Sequence, residues 1–64
     1  SNTTKDSEML TLQYSKINQA HLFSWNNTVL RIFNTMEAAA QYLRDETSIS
    51  SPNIARLLDG KSVI

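Results

Sequence analysis

A chain of 64 residues has room for one small domain, which buries only about 60% of the surface that its unfolded chain exposes. Cys is absent from the sequence, which excludes a disulfide framework and a thiolate metal site. Six Lys and Arg residues balance six Asp and Glu residues. This neutrality does not favour strong autonomous DNA binding, because phosphate neutralisation dominates that affinity. No apolar run approaches the roughly 20 residues of a membrane span, and no signal segment is visible, so we expect a cytoplasmic protein without a membrane partner.

The N-terminal residues 1–7 are polar and lack apolar anchors, so we expect a disordered tail followed by a single domain over residues 8–64. At the start of that domain, Leu10, Leu12 and Tyr14 alternate with polar residues, which predicts a half-buried strand. A helix is the alternative for residues 8–17, because Leu10 and Tyr14 also share one helical face.

Aromatic and β-branched residues lie on both sides of the Asn26-Asn27 pair. Asn tolerates positive φ, so this pattern predicts a β-hairpin over about residues 20–33. Arg31 is the one charge in the second arm and is expected to face solvent. The aromatic side chains of the hairpin are interpreted as the core of a small sheet, with stacking on nucleic-acid bases as the alternative. These aromatic residues are Phe23, Trp25 and Phe33.

Thr35 is placed to cap a first helix, in which apolar residues recur at helical spacing. The predicted packing stripe of this helix comprises Met36, Ala39, Ala40 and Leu43. Two alanines on the stripe would allow a second helix to approach closely.

Ser51-Pro52 predicts the start of the second helix, because the backbone donor that Pro lacks has no partner in a first helical turn. The helix is expected over about residues 52–59, and Gly60 is expected to end it in a left-handed conformation. Its predicted buried residues are Ile54, Leu57 and Leu58. The whole chain is therefore predicted to be α+β, with short strands or a small β-hairpin followed by a helix–turn–helix over about residues 35–60.

Two motifs carry a family resemblance over about residues 23–61. The first helix contains T-x-x-x-A-A-x-x-L from Thr35 to Leu43, and the second region contains S-S-x-x-I-x-x-L-L-x-G-K from Ser50 to Lys61. Together with the preceding hairpin they resemble the nuclease-associated modular DNA-binding repeats of intron-type homing endonucleases and phage proteins. The resemblance implies a further strand after Lys61, so we expect the module to be truncated at its C-terminus.

The resemblance implies that the second helix reads duplex DNA. Asn53 would bond an adenine edge, and Arg56 a guanine edge or a phosphate. Serine at the helix N-terminus would bind phosphate together with free backbone donors, and Lys61 would meet phosphate beyond the helix. The predicted DNA-binding residues are therefore Ser50, Ser51, Asn53, Arg56 and Lys61. The alternative is an ordinary solvated helix face, and Asp59 favours it because its charge repels phosphates.

Catalysis and cofactor binding are not expected. His21 is the only histidine, and nothing near it in the sequence suggests an orienting partner or a nucleophile. The carboxylates lack the spacing of metal ligands, and a chain with one Gly has no Gly-rich phosphate loop. We expect no enzyme activity, no cofactor, no metal and no small-molecule substrate.

The function expected from the sequence is a non-catalytic DNA-binding accessory module of a larger nuclease or phage protein. The alternatives are a protein-interaction or assembly module with no nucleic-acid role, and an excisionase-like regulator domain. The placement of the basic side chains distinguishes them, because one basic cluster favours DNA and cations scattered among Asp and Glu favour a protein partner. The relevant cations are Arg31, Arg44, Arg56 and Lys61.

Overall fold

The computed structural model describes residues 9–64, which form three strands followed by two helices. The strands are β1 (Leu10–Ser15), β2 (Ala20–Trp25) and β3 (Thr28–Phe33), and the helices are α1 (Met36–Glu46) and α2 (Ser51–Leu58). The predicted α+β class is confirmed, and residues 10–15 form a strand and not the alternative helix. The predicted tail, residues 1–7, lies outside the described residues.

The sheet is antiparallel with the strand order β1-β2-β3, so each strand follows its neighbour through a short turn. The β2–β3 turn consists of Asn26 and Asn27 with φ values of 55° and 68°. Two positive φ values in a two-residue loop match the right-handed twist of the strands, which confirms the predicted hairpin. Asn26 also fixes the start of β1, because its backbone N–H donates to the Met9 carbonyl at 2.9 Å and its Oδ1 accepts from the Met9 N–H at 3.0 Å.

One face of the sheet packs against both helices. Strand pairing places Leu12 opposite Phe23 and His21 opposite Phe33, so these side chains share that face. The buried cluster comprises Leu12, Phe23, Phe33, Ala39, Leu43, Ile54, Leu57 and Val63. Trp25 was expected in the core but is 46% exposed. It ends β2 directly before the Asn26-Asn27 turn.

Helix α1 begins at Thr35, whose Oγ1 accepts a hydrogen bond from the Ala38 N–H at 3.0 Å. The predicted cap is therefore confirmed, and it satisfies one backbone donor that has no partner within the helix. Ala39, Ala40 and Leu43 are buried as expected. Met36, expected on the same packing stripe, is instead 40% exposed and lines an open cleft beside Leu12 and Leu58.

Helix α2 buries Ile54 and Leu57 and packs Leu58 partly against the core. Its observed bounds lie one residue before the predicted ones at both ends. Gly60 has φ of 83°, and its N–H donates to the Leu57 carbonyl at 3.0 Å. The Lys61 N–H donates to the Arg56 carbonyl at 2.9 Å, which completes a Schellman C-terminal cap.

The chain after α2 returns to the sheet beside β1. Leu10 and Val63 exchange two backbone hydrogen bonds, of 2.7 Å and 2.9 Å, in a single antiparallel bridge. Val63 is 7% exposed, so this segment covers part of the outer edge of β1. Of the described helices, α1 and α2, neither is long and apolar enough to cross a membrane.

Ala39→Leu should destabilise the fold, because Ala39 is fully buried in the same cluster as Ile54 and Leu57 of α2. Overpacking costs about 1–3 kcal/mol, and each kcal/mol lowers the Tm of a domain of this size by about 4–8 °C. Thermal unfolding followed by circular dichroism measures the effect. Ala38→Leu is the matched control, because Ala38 is exposed on the same helix. Equal melting temperatures for the two variants would show that the helices do not depend on a small residue at Ala39.

Candidate nucleic-acid interface

The rotation of α2 about its axis determines which of its side chains a ligand can reach. Ile54 and Leu57 face the core, and consequently Pro52, Ala55 and Arg56 are exposed. Ala55 projects little from the helix, so the backbone of α2 is accessible along this exposed face. A short helix presented in this way matches the width of the DNA major groove.

The N-terminus of α2 is open to solvent. Ser50 precedes the helix in an extended conformation, and its side chain makes no capping hydrogen bond. Ser50 and Ser51 are both exposed. The first N–H groups of a helix have no intrahelical partner and together with the helix dipole favour an anion. Pro52 has no N–H, so the donors of this first turn are the N–H groups of Ser51 and Asn53. This end of α2 therefore differs from the end of α1 that Thr35 caps.

Arg56 contacts its own chain. Its Nε and Nη2 atoms donate to the Ser62 carbonyl oxygen at 3.3 Å and 3.2 Å. This pair of bonds orients the guanidinium along α2 and ties the helix to the segment that bridges β1. Arg56 remains exposed, and the other guanidinium N–H groups can still bond a ligand.

Lys61 follows the cap of α2 and lies 3.5 Å from an Asp59 carboxylate oxygen. Both side chains are more than half exposed, so solvent screens this ion pair and it holds Lys61 weakly. Lys61 can therefore exchange the carboxylate for a phosphate. Asp59 still lowers the positive potential at this end of the helix.

The five predicted DNA-binding residues do not share one face. Ser51 and Asn53 are separated by about 200° around α2, at 100° per residue, and therefore lie on opposite flanks of the helix. Asn53 is half-buried, although it was expected to bond an adenine edge. The structure brings Arg56 and Lys61 together at the C-terminal end of α2, and Ser50 and Ser51 at its N-terminal end.

Arg44 of α1 lies beside α2, although it was not among the predicted DNA-binding residues. A groove of about 230 Å³ between the helices is lined by Arg44, Ser51, Ile54, Ala55 and Leu58. Arg44 therefore places a cation beside the exposed N-terminal half of α2. Its position in the last turn of α1, directly before a short connection to α2, was a signal that could have identified it.

The basic side chains as a whole do not form one cluster, and by the criterion stated from the sequence this scattering favours a protein partner over DNA. The Arg31 guanidinium carbon lies 4.8 Å from the centre of the Tyr42 ring, in a cation–π contact at the β3 side of the molecule. Asp45 and Glu46 line the same surface. Arg31 is exposed as expected, but its position is set by Tyr42, and it lies in mixed charge apart from Arg56 and Lys61.

His21 packs against Tyr14, with ring centroids 5.0 Å apart. The two rings line an open cleft together with Met36 and Asp59. Within residues 9–64, no group of three or more His, Cys, Asp or Glu side chains is arranged to hold a metal ion.

Comparisons with protein-family models, with curated proteins and with solved structures found no match to this chain. The interpretation of α2 therefore depends on the chain's own residues. The features that bear on it are the open helix N-terminus, the exposed backbone at Ala55 and the cations Arg44, Arg56 and Lys61.

Arg56→Ala should loosen the segment after α2, because it removes both hydrogen bonds to the Ser62 carbonyl. Hydrogen exchange at the Leu10 and Val63 amides, which form the bridge, should accelerate by at least about fivefold, equivalent to a loss of about 1 kcal/mol. Arg44→Ala is the control, since it removes an exposed arginine beside α2 without touching Ser62. If both variants exchanged like the unmodified chain, Arg56 would not hold this segment in place.

Proposed function

We propose that this chain is a non-catalytic DNA-binding accessory module of a larger nuclease or phage protein, and that α2 meets duplex DNA. The observation that carries the proposal is the open N-terminus of α2, with exposed Ser50 and Ser51 and with Arg44 beside it. An anion at this point would meet backbone N–H donors, hydroxyl groups and a guanidinium. A DNA phosphate has the charge and the acceptor oxygens to use all three.

The remaining contacts follow from the length and orientation of α2. Eight residues span about 12 Å, enough for the helix to enter the major groove between two phosphate contacts. Lys61, just beyond the helix, would bind a second phosphate. Arg56 would point its free N–H groups toward a base edge or phosphate while its other donors hold the Ser62 carbonyl.

Asn53 has a smaller part in this arrangement than its sequence position suggests. Its half-buried side chain lies at the margin of the exposed face, so it would reach DNA only along one border of α2. With few direct base contacts, the module would bind many sequences with similar affinity. Most of the affinity would then be electrostatic, as in non-specific DNA binding.

A neutral chain should bind weakly when it is separated from other domains. About three phosphates are within the capacity of Arg44, Arg56 and Lys61, with a salt slope near −0.9 for each phosphate. The expected Kd is about 10⁻⁴–10⁻⁶ M at physiological salt. An accessory module supplies this modest energy next to other DNA-binding domains, where the effective concentration of its site is high.

The second candidate function is a protein-interaction or assembly module. The placement of Arg31 among Tyr42, Asp45 and Glu46 favours it, because a mixed-charge surface suits a protein partner better than a phosphate backbone. An excisionase-like regulator domain would also bind DNA with this face of α2. It would differ from the nuclease accessory module only in the kind of protein that contains it.

Fluorescence anisotropy with labelled duplex DNA at several salt concentrations tests the proposal. The chain should bind at low ionic strength with a log–log salt slope of roughly −3. Lys61→Ala should weaken binding to every sequence similarly and reduce the slope by about one. Lys16→Ala is the matched control, because Lys16 is exposed in the β1–β2 turn and not on α2.

If the chain showed no salt-sensitive binding to duplex DNA at low ionic strength, the proposal would be contradicted. Equal losses for Lys61→Ala and Lys16→Ala would also contradict it, because the attraction would then be a property of total charge and not of α2. In both cases the protein-interaction function would become the better account of this surface.

A further inference from the structure

An open cleft of about 510 Å³ lies at the end of the sheet that carries Tyr14 and His21. These two residues are paired across β1 and β2, and they share the sheet face that packs against the helices. Met36 in the first turn of α1 lines the cleft, as do Leu58 and Asp59 at the end of α2. The cleft is therefore bounded by the sheet and by one end of each helix.

The surface of the cleft combines aromatic and flexible apolar side chains that solvent can reach. Tyr14 is 56% exposed and Met36 is 40% exposed. The ring centroids of Tyr14 and His21 are 5.0 Å apart, so the two rings form one continuous aromatic surface. Tyr and Met are enriched at protein interfaces, and a cleft of this volume admits a partner's side chain. The cleft therefore has the composition of a protein contact surface.

The electrostatics of the cleft favour a cation. Within residues 9–64, Asp59 is the one Asp, Glu, Lys or Arg residue that lines it. Asp59 also lies at the C-terminal end of α2, where the helix dipole is negative. The positive end of α1 is offset, because Thr35 caps it and Glu37 lies in its first turn. A cationic group in the cleft is therefore attracted, and a phosphate is repelled.

The ion pair with Lys61 leaves Asp59 available to a partner. The Lys61 ammonium nitrogen lies 3.5 Å from an Asp59 carboxylate oxygen, and both side chains are more than half exposed. Exposed pairs of this kind contribute little, and Lys61 itself does not line the cleft. A guanidinium in the cleft bonds the same carboxylate with two N–H groups and also meets the Tyr14 ring. It therefore competes favourably with the Lys61 ammonium.

We propose that the cleft binds an arginine side chain of a partner protein. The planar guanidinium lies over the Tyr14 ring and donates to the Asp59 carboxylate, while its methylene stem contacts Met36 and Leu58. A lysine side chain bonds the carboxylate but has no planar group for the ring. None of the residues proposed to contact DNA lines the cleft, so the inference does not rest on DNA binding.

Amide ¹H–¹⁵N spectra, recorded while a blocked tripeptide with arginine between two alanines is added, test the proposal. The amides of Tyr14, His21, Asp59 and Gly60 should show the largest shift changes, with a weak Kd of about 1–10 mM. The same peptide with citrulline in place of arginine is the matched control, because citrulline has a similar shape without the charge. It should bind at least about fivefold more weakly. The lysine peptide should bind at least about twofold more weakly than the arginine peptide.

Two variants separate the parts of the cleft. Asp59→Asn should raise the Kd of the arginine peptide about threefold, because it removes the carboxylate charge. Tyr14→Ala should raise it by a similar factor of about three, because it removes the ring beneath the guanidinium. Asp45→Asn is the matched control, since Asp45 is an exposed carboxylate beside Arg31 and outside the cleft, and it should leave the Kd unchanged. Circular dichroism verifies that all three variants fold.

Several results would overturn arginine recognition. One is the lack of shift changes at the cleft with the arginine peptide up to about 50 mM, well above the expected Kd. Equal affinity for the citrulline or lysine peptide is another, and so is an equal loss for Asp59→Asn and Asp45→Asn. A thymidine dinucleotide that perturbed the cleft amides, where the arginine peptide did not, would assign the cleft to base stacking and would also overturn the proposal.

Discussion

The packing of α2 against α1 and the sheet determines the position of every candidate binding residue on α2 and in the segment after it. Ile54 and Leu57 enter a core that already contains Leu43, and fully buried Ala39 adds no bulk where the helices approach. Because these two side chains are buried, the rotation of α2 is fixed and Ala55 must face solvent. The Schellman cap at Gly60 then turns the chain back toward β1, where the bridge and the Arg56–Ser62 bonds hold it. A change in this packing would therefore move the helix N-terminus, Arg56 and Lys61 together.

Most of the fold could be predicted because its signals are local. The Asn26-Asn27 turn, the Thr35 cap and the Gly60 cap each depend on a conformational preference of a few neighbouring residues, and the structure confirms all three. Residues 10–15 were ambiguous in the sequence, since alternation over a few residues fits a strand while the same apolar positions fit a helix. Pairing with β2 and the bridge to Val63 stabilise these residues as a strand. The bridge joins parts of the chain that are distant in sequence, so a local pattern does not reveal it.

The candidate site was less predictable, because it depends on contacts between residues on different elements. Arg56 was expected to be free for DNA, but its bonds to the Ser62 carbonyl depend on where the last residues of the chain return. Asn53 was expected to bond a base edge, but the packing of α2 leaves it half-buried. The location of Arg44 beside Ser51 follows from the way the short connection folds α2 back against α1. Trp25 illustrates the same limit. A large aromatic residue in a hairpin suits the core of a small sheet, but at the end of β2 Trp25 is 46% exposed.

The central claim is that the exposed face of α2 meets duplex DNA, and NMR tests it most directly. Amide ¹H–¹⁵N spectra of the labelled chain would be recorded at low ionic strength during addition of a short duplex. The account predicts that the largest shift changes fall on the backbone amides of the first turn of α2, which are those of Ser51 and Asn53 because Pro52 has no N–H, and on Lys61, while β3 amides change little. Shift changes confined to β3, or none at any DNA concentration, would contradict it.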